Sequence, residues 1–208
     1  RAAFPQSSDP MVLRAIQEGL GVADDTLGGL PFLQNAAGRD ARGFVRRAGV
    51  MYMLHKYAQR GDLPFEAEFE RQTRGNWHWL NMTAEGVLGH VVKTDGKSSF
   101  PADGPAKQDK RITNNGDLFA ASGPVLVPTR ELAPPGTDVY AWLSYGCDRT
   151  GNVTHAIWGV PASDQDVYLA TIDIVDSAIG QGDFTPTNRT PEPSFGLAFT
   201  EQVAEALR

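Results

Sequence analysis

The sequence predicts an α+β fold: N-terminal helices, then a mainly antiparallel β-sheet and a short C-terminal helix, in a single domain over residues 1–208. Three observations predict it. Apolar residues recur at helical spacing up to about residue 75 and at strand spacing beyond it. The strand-like runs follow one another across turn signals without intervening helices, which suits antiparallel neighbours, since a parallel pair needs a crossover. A composition of 41% hydrophobic and 9% aromatic residues is enough to build a core.

In chain order, "SSDPMVLRAIQEGLG" opens the first helix: Asp9 can cap the free amides, Pro10 suits the first turn, and Val12, Ile16 and Leu20 share a face, with Gly19 and Gly21 ending it. The longest helix is "RDARGFVRRAGVMYMLHKYAQRGD", with Phe44, Ala48, Met51, Leu54 and Ala58 on one face, Arg46, Lys56 and Arg60 opposite, and Gly61 as its stop. A third, short helix is expected over "PFEAEFERQT", whose acidic first turn favours the helix dipole. Strands are expected at 86–93, 123–127, 138–145, 153–160 and 167–175, with another around 195–199, before a last helix "TEQVAEALR" capped by Thr200. The polar stretch 94–117, rich in Gly, Pro and Asn, reads as an exposed loop.

Charge and cysteine usage narrow the function classes. The net charge of −6 makes the whole chain a poor polyanion binder, so nucleic acid is not favoured as a partner. The charge is segregated, however. Residues 39–60 hold six basic side chains against Asp40 alone, and residues 151–187 hold Asp164, Asp166, Asp173, Asp176 and Asp183 with no Lys or Arg. Such a chain can pair with itself, within one molecule or between copies. No apolar stretch approaches the length of a membrane span, which reads as a soluble protein. The single cysteine forms no internal disulfide and no zinc cluster, in keeping with a reducing intracellular compartment. Arg1 in first place reads as a processed or excised chain. Sequons at Asn81, Asn152 and Asn188 would permit glycosylation in a secretory setting.

The stretch "YGCDRTGNVTHAIWGV" joins two of the expected strands. Tyr140, Trp142 and Ser144 share one face of the first, and Ala141, Leu143 and Tyr145 the other. Apolar bulk on both faces predicts a central hairpin, covered by helices on one side and by loops, a partner or a ligand on the other. Cys147 reads as a turn thiol. A phosphatase loop needs an arginine six residues after its cysteine, where Val153 stands, and a Cys147–His155 nucleophile pair needs a third, orienting group. "TGNVTHAIWGV" resembles the Gly-Asn, His and hydrophobic strand of the archaeo-eukaryotic primase class over about a dozen residues. That resemblance implies a phosphate-contacting His155, with Asp173 or Asp176 as a metal-holding acid. The acidic pair that precedes the histidine in that family is missing, because Glu66-Ala-Glu68 and Glu68-Phe-Glu70 fall in the third expected helix.

Other candidates are fewer. "NWHWLN" would place Trp77 and Trp79 on one side of a strand and His78 on the other, giving either a core anchor or an aromatic platform for a sugar, base or peptide. Together with Arg46 and Arg47 of the basic helix these make the candidate ligand-binding set. His90, His155 and Asp173 could form a two-histidine, one-carboxylate metal site if three strands converge. His55 reads as a hydrogen-bonded core histidine. No Gly-x-Gly-x-x-Gly or Walker pattern occurs, so no nucleotide cofactor is implied. The leading expectation is a non-enzymatic binding or assembly subunit without a cofactor, partnered by other protein subunits or by itself. The alternative is an enzyme dependent on a divalent metal and acting on nucleotides or nucleic acid, with His155, Asp173 and Asp176 catalytic.

Overall fold

The computed structural model describes residues 3–72, 77–102, 104–115 and 136–181. The order is α1 (Asp9–Gly29), α2 (Ala36–Gln59), β1 (Glu66–Arg71), β2 (His78–Ala84), β3 (Val87–Lys93), α3 (Pro105–Arg111), β4 (Val139–Cys147), β5 (Val153–Pro161), β6 (Tyr168–Asp173) and α4 (Ile174–Gly180). The six strands form one sheet in chain order, antiparallel throughout except for β3 and β4, which run parallel. The fold is therefore α+β. The expected strands at 123–127 and 195–199 and the helix from Thr200 lie outside the described residues.

Gly19 and Gly21 do not end α1, which continues to Gly29. Their role is packing. A Cβ on Gly19 would stand 2.5 Å from Val50 Cα, and one on Gly49 would collide with the Gly19 carbonyl, so the two helices cross backbone to backbone at this pair of glycines. Asp9 is the first residue of α1 rather than its cap. In α2 the buried stripe is Arg46, Val50, Met51, Met53, Leu54 and Tyr57; Met51 and Leu54 of the expected face are buried, but the stripe is rotated enough to bury Arg46 and leave Phe44 exposed. Asn35 caps this helix, its side-chain oxygen accepting from the Gly38 amide at 3.0 Å.

The third expected helix is instead strand β1. Its Glu-Ala-Glu-Phe-Glu alternation is a period of two, and pairing with β2 outweighs the favourable acidic turn. Glu85 and Gly86, at φ 45° and 77°, then make the two-residue turn between β2 and β3.

Helices α1 and α2 cover one face of the sheet, burying Leu80, Met82, Val91, Leu143, Ala156 and Trp158. The opposite face buries Leu88, Val92, Tyr140 and Trp142 beneath Phe100 and Tyr168. The segment 94–115 is thus a cover and not the exposed loop expected of 94–117. It carries α3, buries Ala106, Lys110 and Arg111, and forms part of the crossover required by the parallel β3–β4 pair. Arg111 fastens it, donating to the Ala162 carbonyl at 2.6 Å and pairing with Asp166 at 3.2 Å. β6 is shorter than expected. A register shift at Val160 and Pro161 puts Tyr168 over Trp142 while Ile172 faces the helices, and Asp173 caps α4 by accepting from the Asp176 amide at 2.9 Å. No helix among the described residues is long and apolar enough to cross a membrane.

Candidate functional site

A cavity of about 340 Å³ lies where α2 and the start of α3 meet over the Trp77 end of β2. Its lining comprises Phe44 and Arg47 of α2, Gln72, Trp77, Trp79, the Gly104–Ala106 backbone and Lys107. Hydrogen bonding of the Gln72 amide to the Trp77 carbonyl at 2.9 Å brings the ends of β1 and β2 together there. Trp77 and Phe44 are 55% and 50% exposed and meet edge to face at 4.8 Å between ring centroids. Trp79 is buried, stacked on His90 at 4.7 Å and capped by the Lys110 ammonium at 5.9 Å. Arg47 Nε is shielded from solvent and has no hydrogen-bond partner among the described residues, and burial lowers the guanidinium pKa. No carboxylate is found among the described lining residues.

Of the sequence-derived ligand set, Arg47, Trp77 and Trp79 converge on this cavity. His78 is exposed outside it, and Arg46 is committed elsewhere. Phe44, Gln72 and Lys107 join them in the lining. Phe44 and Arg47 stand three apart on α2, a spacing that puts them on one side of a helix. Lys107 follows a Pro105 that suits a helix start, so both had a local signal.

Behind Trp79 a chain of hydrogen bonds crosses four strands. The Glu70 carboxylate only accepts, so Asn81 Nδ2 donates to it and Asn81 Oδ1 must accept from His90 Nε2 at 2.6 Å. His90 Nδ1 then accepts from the Tyr140 hydroxyl at 2.9 Å. Burial, reinforced by the charges of Lys110, Lys107 and Arg47, holds His90 neutral, well below its ordinary 6.5. Below that pH the unfolded chain binds a proton that the folded chain refuses, so stability falls as the solution is acidified. Urea titrations at pH 7.5, 6.5 and 5.5 should show a loss of about 0.4 kcal/mol over the first interval and about 1 kcal/mol over the second, partly removed by His90→Gln.

His155 lies over Gly146, whose missing Cβ leaves room for the ring. Its Nε2 meets the Thr94 hydroxyl at 2.8 Å and its Nδ1 the Thr154 hydroxyl at 3.2 Å. Burial lowers its pKa against the opposing charges of Asp173 and Asp95. Lys97 pairs with Asp173 and lies 3.1 Å from Asp176, so both acids proposed for catalysis are partnered by one ammonium. The carboxyl of Asp173 is pushed up by burial, but Lys97 and the helix amides of α4 outweigh this and leave it below its usual range.

The expected metal triad is not assembled. Both ring nitrogens of His90 are spent on Asn81 and Tyr140, and no group of three His, Cys, Asp or Glu side chains is placed to hold a metal among the described residues. Glu66, Glu68 and Glu70 stand on a strand after all, but four strands from His155, roughly 19 Å at ordinary strand spacing. His55 donates from Nδ1 to the Ala67 carbonyl at 2.7 Å.

The charge segregation resolves locally. Arg46 pairs with Asp24 of α1, and Asp166, Asp173 and Asp176 pair with Arg111 and Lys97 of the covering segment, not with the basic helix. Comparison with protein-family models, curated proteins and solved structures finds no match to this chain.

Proposed function

We propose that the protein is a non-enzymatic binding subunit whose ligand occupies the cavity between α2, the Trp77 end of β2 and α3. The observation that carries this reading is Arg47: its Nε is shielded and without an acceptor among the described residues, which is costly, and the side chain lines a cavity with exposed aromatics at its mouth. Exposed aromatics at the mouth fit a mostly apolar pocket with a few placed polar groups. The His155 cluster supports catalysis less, because its acids and ring nitrogens are already partnered. The assembly side of the reading has support at β6, which ends the sheet among the described residues, with Leu169 exposed and Val167 exposed just before it.

The test fills the cavity. Gly104 lines it and a Cβ there meets nothing within 4 Å, so Gly104→Leu should occupy the space without strain. In ligand-detected NMR with a small-molecule fragment library, compounds should bind the wild-type chain, be recovered chemically unchanged, and lose binding in Gly104→Leu. Turnover, or binding indifferent to that substitution, would sink the proposal. Light scattering on the same samples reads self-association.

A further inference from the structure

Three features of the cavity restrict what it can hold. The first is charge. Arg47 and Lys107 line it, and Lys110 lies just behind Trp79, close enough with the other two to keep His90 neutral. Lys107 is held in place by the Ala102 carbonyl at 3.1 Å. With no carboxylate among the described lining residues, an anion there meets no like charge, and Arg47 Nε is a donor left for it. The Tyr145 hydroxyl, fully buried and kept neutral by that burial, also lacks a hydrogen-bond partner among the described residues.

The second feature is the aromatic mouth. Trp77 and Phe44 are held edge to face and leave half their surface open, an arrangement that accepts another ring against them. The third is size. A cavity of about 340 Å³ is near the lower limit of small-molecule sites, with room for one ring system and its charged group. A neutral sugar would leave Arg47 unmatched. A nucleic-acid strand needs a long positive groove, and the net charge of −6 opposes it.

We infer that the cavity binds a small aromatic anion, its ring against Trp77 and Phe44 and its carboxylate or phosphate on Arg47 and Lys107. This rests on the binding reading above and names the ligand class. The experiment is a tryptophan-fluorescence titration at low salt with four probes: benzoate, phenyl phosphate, inorganic phosphate and benzyl alcohol. At least one aromatic anion should bind about tenfold or more tighter than both inorganic phosphate and benzyl alcohol, since the first lacks the ring stacking and the second the charge-assisted hydrogen bond, each worth about that factor. The order of benzoate and phenyl phosphate separates a carboxylate ligand from a phosphate one.

Arg47→Gln should weaken the better anion by about tenfold or more while leaving benzyl alcohol unchanged. Trp77→Ala, on a half-exposed side chain outside the buried core, should weaken the same anion and serves if Arg47→Gln does not fold. Benzyl alcohol binding as well as the anions, or inorganic phosphate doing so, overturns the ligand class while the binding reading stands. No binding by any of the four probes overturns the ligand class, while the binding reading is decided separately by the fragment screen against Gly104→Leu.

Discussion

Gly49→Ala is expected to destabilise the protein by about 3 kcal/mol, whereas Gly43→Ala, two turns earlier on the same helix, is expected to stabilise it by about 0.5–1 kcal/mol. Both replace a helical glycine with the best helix former, so propensity alone predicts the same gain for each. The surroundings reverse the sign at Gly49. A methyl there collides with the Gly19 carbonyl and comes within 3.2 Å of Ala23 Cβ, while one on Gly43 meets nothing within 4 Å. The obstacle is backbone of the facing helix, so no rotamer change relieves it, and α1 must move away from a core that includes Val12, Ile16 and Leu20. Urea unfolding of the two variants beside wild type measures both effects. A gain in both would mean that α1 and α2 are farther apart than the Gly19–Gly49 crossing requires.

That pair of glycines also shows what a single sequence conceals. Read locally, Gly19 is a helix stop; only the approach of a second helix makes it a packing position. The same limit applies to β1, where Glu66, Glu68 and Glu70 suit a helix start as well as a strand edge, and β2 decides between them. The hairpin was legible because its information is local. Alternation fixes Tyr140, Trp142 and Ser144 on one face, Ala141, Leu143 and Tyr145 on the other, and both faces are buried as expected. What covers the outer face was not legible, since residues 94–115 look polar and only docking on Leu88, Val92 and Trp142 makes a cover of them. The candidate pocket divides in the same way. Trp77 and Trp79 declare themselves by spacing in one strand, but their convergence with Phe44, Arg47 and Lys107 depends on three segments meeting.

Arg46→Met is expected to cost about 3 kcal/mol, because it strips one side of a partly buried ion pair and leaves its partners behind. Arg46 Nε and Nη2 reach the two Asp24 oxygens at 2.8 and 2.9 Å, and Nη1 and Nη2 donate to the carbonyls of Asp148 and Arg149 at 3.1 and 3.3 Å. Nη1 also lies 3.4 Å from Cys147 Sγ. The turn is tied internally as well, with Asp148 Oδ1 accepting from the Thr150 and Asn152 amides at 2.8 and 2.9 Å. From α1, Gln17 accepts from the Val153 amide at 3.2 Å. A turn held from two helices and from within is built for position. Asp24→Asn alone should cost less, since it keeps an acceptor for the guanidinium. In a double-mutant cycle the two changes should fall short of additivity by 1 kcal/mol or more, as coupled neighbours do. Strict additivity would mean that the Arg46–Asp24 contact carries none of the stability, and that the turn is held by the carbonyl bonds alone.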